Sequence, residues 1–560
     1  MKVKESTIKK EKFDWDELNL DYSGENNYAS FLPAKSNIHS YPAKAVPEMV
    51  SDLLKNVNEQ YKIKSVLDPF VGSGTTALET KYLGLDFYGS DLNPLAILIS
   101  RTKVLTLSNA NYIIKTIKNF LDVLKERYNS TEEINIVTFS NIEYWFKETN
   151  IRELSYLKEN IKCFLEGKNR INRESYALIL CTAFSSTIRM CSLSRNSEFK
   201  LYRMSPSDIN RFNVNAIDLF VDNVNNLFEM LKKTSDIYKD KVNIQIELDN
   251  AKKLEFLKEK KVDFILTSPP YGDSRSTVAY GQFSRLSLQW MSDLICKYLN
   301  IKVYTDNCDE YLLGGKKSEI EIQGDRMINS SKTLQNLINK MDRVIEEELV
   351  QLNEMRQKLI AFQKMIQDEK IINRQDIEDN LFDLIRERIR LNFYRKINKE
   401  ASYTIKEVKL LSIENTEQFF NKLFLGNEQT RIEATEILEE IVAPVMETIK
   451  RKLVSVPRRK EEVLNFFKDL YQVVLRSDEV LNDDGIQAWI VGHRTVLGKL
   501  NINMKEVLND WFNYIGYKKI TDLTREYSFK RLPHHINSTV NRNDQIQTMM
   551  QEHILIVEKG

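Results

Sequence analysis

The stretch that most constrains the fold starts at Ile63 and reads IKSVLDPFVGSGTTALETKYLGLDFYGSDLNPLAILIS. An apolar run ends at Asp68, a turn containing Gly72 and Gly74 follows, a helical pattern stops at Gly84, and a second apolar run ends at Asp91. This is strand, turn, helix, strand. A strand that returns through a helix lies parallel to the first, in a sheet whose faces other helices must cover. An α/β architecture is therefore expected.

After Arg101 a long stretch with helical periodicity runs to about residue 240, including NYIIKTIKNFLDVLKERY and NAIDLFVDNVNNLFEMLKK. Strand patterns resume at VNIQIELD and VDFILTSPP. A second helical block extends from about Phe283 to Leu481, and in it Ile345, Leu349, Leu352, Met355, Leu359, Phe362 and Ile366 recur at three- and four-residue steps. That spacing predicts one long helix packed along a single stripe, as in a coiled-coil hairpin. GIQAWIVGHRTVLG and the closing EHILIVEKG read as late strands. The expected division is a first strand-bearing part at 1–105, a helical insertion at 106–240, a second strand-bearing part at 241–300, a second helical insertion at 301–460, and the end of the sheet at 461–560.

With 560 residues the chain has room for several domains. Its 81 basic and 80 acidic residues nearly cancel, so a polyanion would be held by local basic patches and not by a global field. The five cysteines include no C-x-x-C pair and the five histidines are scattered apart from His534 and His535, so neither a metal site nor a disulfide framework is expected. No run of about 18 apolar residues occurs, and the opening MKVKESTIKKEKFDWDELNL lacks an apolar core of signal-peptide length. A cytoplasmic protein with no membrane partner is the expectation.

The turn DPFVGSGTT brings backbone close to a ligand at the carboxyl edge of a parallel sheet. It has neither the lysine of a phosphate-binding P-loop nor the full G-x-G-x-x-G pattern. Asp91 closes the next strand, where an acidic side chain accepts hydrogen bonds from ribose hydroxyls. A nucleoside-bearing cofactor held without a strict phosphate grip fits both features.

DPFVGSGTT, GSDLNP and TSPPY together resemble the amino-group DNA methyltransferases, most closely the TSPPY type that modifies the N4 amine of cytosine. HSYPAKAVPEMV at 39–50 is similar to a further cofactor motif of that family, and the last 32 residues are similar to its terminal hairpin region. The resemblance implies a Rossmann-like S-adenosylmethionine-dependent methyltransferase sheet carrying two large helical insertions. It implies S-adenosylmethionine as cofactor, with Tyr41, Pro42 and Lys44 near its methionine end and Asp68 near the methionine amino group. Phe70, Gly72 and Ser73 would line the approach, and Gly74 and Thr75 would shape the turn. Asp91 would take the ribose hydroxyls, Asn93 would be a further cofactor-binding residue, and Asp249 would accept from the adenine amine, with Ser268 bordering the same space.

The double proline of TSPPY then acquires a purpose. Two fixed φ angles hold the carbonyls and the Ser268 hydroxyl in place without later reorganisation. An exocyclic amine is a weak nucleophile, because its lone pair is delocalised into the ring. Acceptors aimed at its hydrogens, the Pro269 oxygen and the Ser268 side chain, favour the tetrahedral nitrogen of the transition state. Pro270 completes the corner, and Tyr271 would stack on a base flipped out of the duplex. No Pro-Cys pair is present, so the covalent route of carbon-5 cytosine methylation is not expected. With serine at 268, where members of the family that modify adenine usually carry Asp or Asn, the resemblance implies cytosine over adenine.

Double-stranded DNA is the expected partner, together with a cognate restriction endonuclease. Arg275 and Tyr280, in a loop after the corner, are candidates for DNA or base contact. In the first insertion Arg189, Arg195 and Arg203, and in the second Arg386, Arg390 and Arg395, are candidate DNA-binding residues. The alternatives are an adenine-N6 DNA methyltransferase, a transfer-RNA guanine methyltransferase, and a non-catalytic DNA-binding subunit with the same fold.

Overall fold

The computed structural model describes residues 15, 18, 20, 38–42, 45–107, 109–128, 133–195, 200–235, 242–272, 278–318, 324–368, 372–398, 403, 405–526, 535–537, 545–547 and 551–560. Lys44 and Arg275 lie outside the described residues.

Strands β1 (Ser65–Asp68) and β2 (Asp86–Asp91) pair in parallel, with Val66 opposite Phe87 and Asp68 opposite Gly89. The helix Thr75–Tyr82 connects them and ends before Gly84, whose φ of +71° reverses the chain without steric cost. β3 (Ile244–Leu248) joins β2, and β4 (Val262–Thr267) joins the other edge of β1, both in parallel. β5 (Leu481–Val496) continues the sheet parallel to β4, and β6 (Leu500–Asn503) folds back against its end. β7 (Lys518–Glu526) is followed by a small hairpin, β8 (His535–Asn537) with β9 (Gln545–Gln547). β10 (Gln551–Glu558) enters antiparallel to both β5 and β7. The strand order is β3-β2-β1-β4-β5-β10-β7. Since β10 opposes both its neighbours, β7 runs with β5, leaving one reversed strand between two that agree. The order changes direction between β1 and β4, which opens a crevice at the carboxyl ends of these strands.

The chain clusters into two compact units, one of residues 1–202, 214–335 and 463–560, the other of 203–213 and 336–462. The division expected from the sequence sets 106–240 apart as an insertion, but most of that segment shares the core of the sheet. Trp290, on the helix Tyr280–Leu299, is fully buried with Phe139, Phe146 and Phe184 set edge-on around it at 5.6, 5.6 and 6.5 Å between ring centroids. Thr102 and Thr182 share a buried hydrogen bond of 2.8 Å, and Ser185 donates to Ser287 at 2.8 Å. The helix Arg170–Cys191 thus supports the helix that follows the TSPPY corner.

The second unit has a core of its own, including Leu359, Phe362, Ile366, Ile385, Ile389, Phe420 and Leu438. It contains the helices Asp379–Ile397 and Ile405–Leu425 and much of Lys332–Asp368 and Glu428–Val480. Pro444 and Pro457 sit inside the last of these without ending it. Among the described residues no helix is long and apolar enough to cross a membrane.

Candidate functional site

A cleft of about 650 Å³ opens at the crevice predicted by the strand order, lined by Tyr41, Pro69, Phe70, Gly72, Asp91, Leu92, Asp249, Asn250, Ala251, Ser268, Pro270, Tyr280, Leu312 and Leu313. Sequence segments far apart thereby meet: the glycine turn after β1, the ends of β2 and β3, and the corner after β4.

The turn is fastened by the strands it leaves. The Val71 amide donates to the Ser90 carbonyl at 2.9 Å, and the Ser90 hydroxyl donates to the Pro69 carbonyl at 3.1 Å. Gly72 has φ of +48°, and a Cβ there would meet nothing nearer than a Tyr41 ring carbon at 3.7 Å. Its missing side chain leaves open space on the cleft side. Gly74, at φ +76°, serves packing, since a Cβ would approach Ser100 to 2.8 Å. Ser73 and Thr75 are buried behind the turn and do not line the cleft.

Two carboxylates flank the turn. Asp68 is buried and accepts from the Phe70 amide at 3.0 Å and the Thr267 hydroxyl at 2.8 Å, which ties the ends of β1 and β4 together. Burial pushes its carboxyl up to about 6, against the pull of its hydrogen bonds to Thr267, Thr76 and Phe70. Asp91 accepts from the Gly72 amide at 3.1 Å through one oxygen and from the Asn93 amide at 2.8 Å through the other. Removal from water likewise raises it to about 6, opposed by those backbone donors, with the Asp68 charge adding to the rise. Each oxygen of Asp91 carries two lone pairs and uses one on these amides, so capacity remains for hydroxyl donors in the cleft.

Asn93 caps the helix Pro94–Lys103 by accepting from the Leu95 amide at 3.1 Å, and Pro94 follows at the first helical position. Its amide nitrogen donates to the Tyr41 hydroxyl at 3.1 Å and to Ser284 at 2.7 Å. Asn93 therefore orients a wall of the cleft. Burial first, then the Asp91 charge, raises the Tyr41 phenol well above its usual range. Pro42 is buried beside Tyr41 but is not part of the lining.

Asp249 lines the opposite end. Its carboxylate accepts from the Asn250 amide at 2.7 Å and the Phe256 amide at 3.0 Å, so it also holds its own turn. The neighbouring Lys252 is bolted to Asp469 at 2.8 Å, with both side chains buried, and Asp469 also accepts from the Gly314 amide at 2.6 Å. One buried carboxylate thus anchors both the Asp249 turn and the segment bearing Leu312 and Leu313. Nothing in EYLLGGKK or in FKDLY announces that pairing, and the sequence alone does not reveal it.

At the corner, Ser268 and Pro270 face the cleft while Pro269 is buried beneath them. The Ser268 and Tyr271 hydroxyls lie 3.2 Å apart, and the Tyr271 hydroxyl donates to Glu552 on β10 at 3.1 Å. Gly272 has φ of +151°, and a Cβ there would fall 1.9 Å from the Arg494 guanidinium. Any larger residue there would have to displace the Arg494 side chain and adopt a φ that side chains disfavour.

Several expectations require correction. The sequence reads Tyr280 as loop, but it begins the helix Tyr280–Leu299, because the Asp309 carboxylate caps the amides of Gly281 and Gln282 at 2.8 and 3.0 Å. Tyr280 lines the cleft with its ring centroid 6.0 Å from that of Tyr41. Arg189, a candidate for a DNA-facing surface, is instead buried, with its guanidinium 3.9 Å from the Phe283 ring centroid, a stacked cation–π contact that keeps it inside. Arg386 and Arg390 are exposed, but each is paired, Arg386 with Glu417 and Arg390 with Glu387 at 3.8 Å. Arg395 and Arg195 are exposed, and Arg203 is half-buried. No cluster of His, Cys, Asp or Glu able to hold a metal occurs among the described residues.

Against known proteins, the profile of a family described as DNA methylase matches residues 4–101. The chain is 33% identical to the Type II methyltransferase M.MvaI of Kocuria varians over 361 residues, covering 60% of this chain and 76% of that protein. It is 31% identical to the Type II methyltransferase M.MjaII of Methanocaldococcus jannaschii over 127 residues, 22% of this chain and 21% of that one. No solved structure matches. A third of the residues shared across three quarters of a relative's length, on a sheet of this order, places the chain in the amino-group (N6/N4) DNA methylase family.

Proposed function

We propose that this chain methylates the exocyclic amine of a base flipped out of double-stranded DNA, using S-adenosylmethionine, and that the base is cytosine, modified at N4. The observation that carries the reading is that the Gly72 opening and the Asp91 carboxylate share one cleft with Ser268 and Pro270. A nucleoside cofactor and a reacting amine would meet there.

The residues present suit the cofactor. Asp91 has lone pairs for two ribose hydroxyls, Phe70, Leu92, Leu312 and Leu313 supply apolar surface for a flat ring, and Asp249 with Asn250 borders its polar edge. Asp68, half titrated near pH 6, sits behind the turn where a cationic amino group would draw it to the ionised form. S-adenosylmethionine, when bound, supplies an electrophilic methyl group. The chain's part is to hold the amine in line and to accept its hydrogens at Ser268 and the Pro269 carbonyl, which favours the nitrogen as it becomes tetrahedral. The Tyr271 ring would stack on the extruded base. A hydroxyl at 268 in place of a carboxylate suits cytosine: the N4 nitrogen that takes the methyl group becomes cationic and strongly acidic, so its surplus proton passes to solvent without a strong protein base. The Type II naming of both relatives supports a role in restriction–modification beside a cognate endonuclease.

Calorimetry with S-adenosylmethionine tests the cofactor assignment. Asp91→Ala and Gly72→Trp are expected to weaken binding while circular dichroism stays that of the wild type. Unchanged affinity in both variants would remove the assignment.

A further inference from the structure

The Tyr271 hydroxyl joins the corner to a buried ion pair between β10 and β7, the last two strands in the sheet order. Tyr271 Oη lies 3.1 Å from Glu552 Oε1, and Glu552 Oε2 lies 2.7 Å from Arg525 Nη1. Arg525 and Glu552 stand opposite each other on β7 and β10, with side chains 9% and 11% exposed, so water competes little for either. Tyr271 Oη also lies 3.2 Å from Ser268 Oγ. Either hydroxyl could donate in that last bond, and the ion pair decides which.

A carboxylate paired with a guanidinium only accepts, so the one phenolic proton of Tyr271 points to Glu552. The Tyr271 oxygen can then only accept from Ser268, whose own proton points to Tyr271. Ser268 Oγ is left facing the cleft with lone pairs alone. We propose that the Arg525–Glu552 pair is a positioning device that fixes the direction of the Ser268 proton through Tyr271, making Ser268 a dedicated acceptor for the N–H of the target amine. This rests on the amine methylation proposed above and adds two residues to it, one from each of the last long strands. A serine hydroxyl free to rotate would spend part of its time donating towards the cleft, where it repels an N–H. Reversing the polarity of the relay should therefore impair transfer without altering either binding step. Glu552→Gln does this: an amide can donate to the Tyr271 oxygen, sending the phenolic proton to Ser268 and the Ser268 proton into the cleft.

The test measures transfer of labelled methyl from S-adenosylmethionine to duplex DNA by the full chain, the wild type against Glu552→Gln, Tyr271→Phe and the double variant, with thermal unfolding and S-adenosylhomocysteine affinity measured in parallel. Each single variant should lower kcat by roughly 10- to 100-fold with KM for both substrates nearly unchanged. The double variant should be no worse than the weaker single one, because both changes break one relay. Glu552→Asp, which keeps the charge and the acceptor, should recover part of the rate. Effects that multiply in the double variant, or a Glu552→Gln enzyme of normal kcat, would overturn the relay while leaving the methyltransferase reading intact. A Glu552→Gln enzyme slowed only in proportion to lost folded protein would also overturn it. A wild-type chain that transfers no methyl to DNA would overturn the reading and the relay together.

Discussion

The cleft of the sheet unit and the helical unit of residues 336–462 keep their charges in opposite ways. Around the cleft the charged groups are buried or half-buried and each is fixed by named donors: Asp68 by Thr267, the half-buried Asp91 by Gly72 and Asn93, Asp469 by Lys252 and Gly314, and Glu552 by Arg525 and Tyr271. In the helical unit Arg386 pairs with Glu417, Arg390 with Glu387 and Lys358 with Glu378, all near the surface. A buried group stripped of its partner bears the full cost of desolvation, whereas an exposed pair contributes almost nothing on balance. Chemistry that needs atoms held to a fraction of an ångström belongs in the first region. Exposed pairs such as those of the second can exchange partners at little cost.

The contrast breaks most directly at Asp469. Asp469→Ala removes the carboxylate that neutralises the buried Lys252 ammonium, so roughly 3 to 5 kcal/mol of stability should be lost, together with the anchoring of the cleft wall at Leu312 and Leu313. Thermal unfolding reads the first effect and S-adenosylmethionine affinity the second. Replacing both partners, as Lys252→Met with Asp469→Leu, should restore much of the stability. An Asp469→Ala protein as stable as the wild type would mean that the charges near the cleft matter no more than those on the helices.

Next in size is the corner. Tyr271→Ala should remove stacking worth about 1 to 3 kcal/mol and slow methyl transfer, with cofactor affinity little changed. A normal rate would reduce the corner to a strand terminator.

The third prediction concerns pH. Asp68 and Asp91 both titrate near 6 in the folded chain, above the ordinary carboxylate value. A folded-state value raised above the unfolded one means that the native protein binds more protons between about 4 and 6. Their contribution to stability is therefore present below pH 4 and lost as pH rises to 6. Cofactor binding runs the other way, since hydroxyl and amino donors need the ionised form. Affinity should be full above pH 6, fall as pH drops through 6, and lose part of that dependence in Asp91→Asn, the rest being carried by Asp68. Affinity flat between pH 5 and 7 would contradict the assignment of these carboxylates.

The smallest effects are expected in the helical unit. Arg386→Gln with Arg390→Gln should change stability by no more than about 0.5 kcal/mol. If these arginines reach phosphates, DNA affinity should fall and its salt slope should decrease by about 0.9 for each phosphate that is no longer neutralised. A large loss of stability would show that these pairs resemble the buried ones after all.

What the sequence made legible was mostly local. The strand–turn–helix from Ser65 to Tyr82, the stop at Gly84 and the corner at Ser268 are each written in a few adjacent residues, because apolar runs, glycines and prolines act on the backbone where they stand. What stayed hidden depends on partners distant in the chain. Arg189 reads as a basic surface residue until Phe283 takes its guanidinium, and no sequence pattern marks the buried pairing of Lys252 with Asp469. Tyr280 reads as loop because the cap that starts its helix, Asp309, comes after the residues it organises. Glu552 carries no motif at all. The first helical stretch resembles an insertion because periodicity reports an amphipathic helix without saying which core it enters, and Phe184 enters the core of Trp290.

The corner at Ser268 is proposed to direct methyl transfer to the exocyclic amine of cytosine. The most direct measurement is nucleoside mass spectrometry of unmethylated duplex DNA incubated with the purified chain and S-adenosylmethionine, then digested to nucleosides. N4-methylcytosine is expected, and is expected to be absent when Ser268→Ala replaces the wild type. N6-methyladenine alone would contradict the choice of base, and DNA returned unmodified would contradict the proposed reaction.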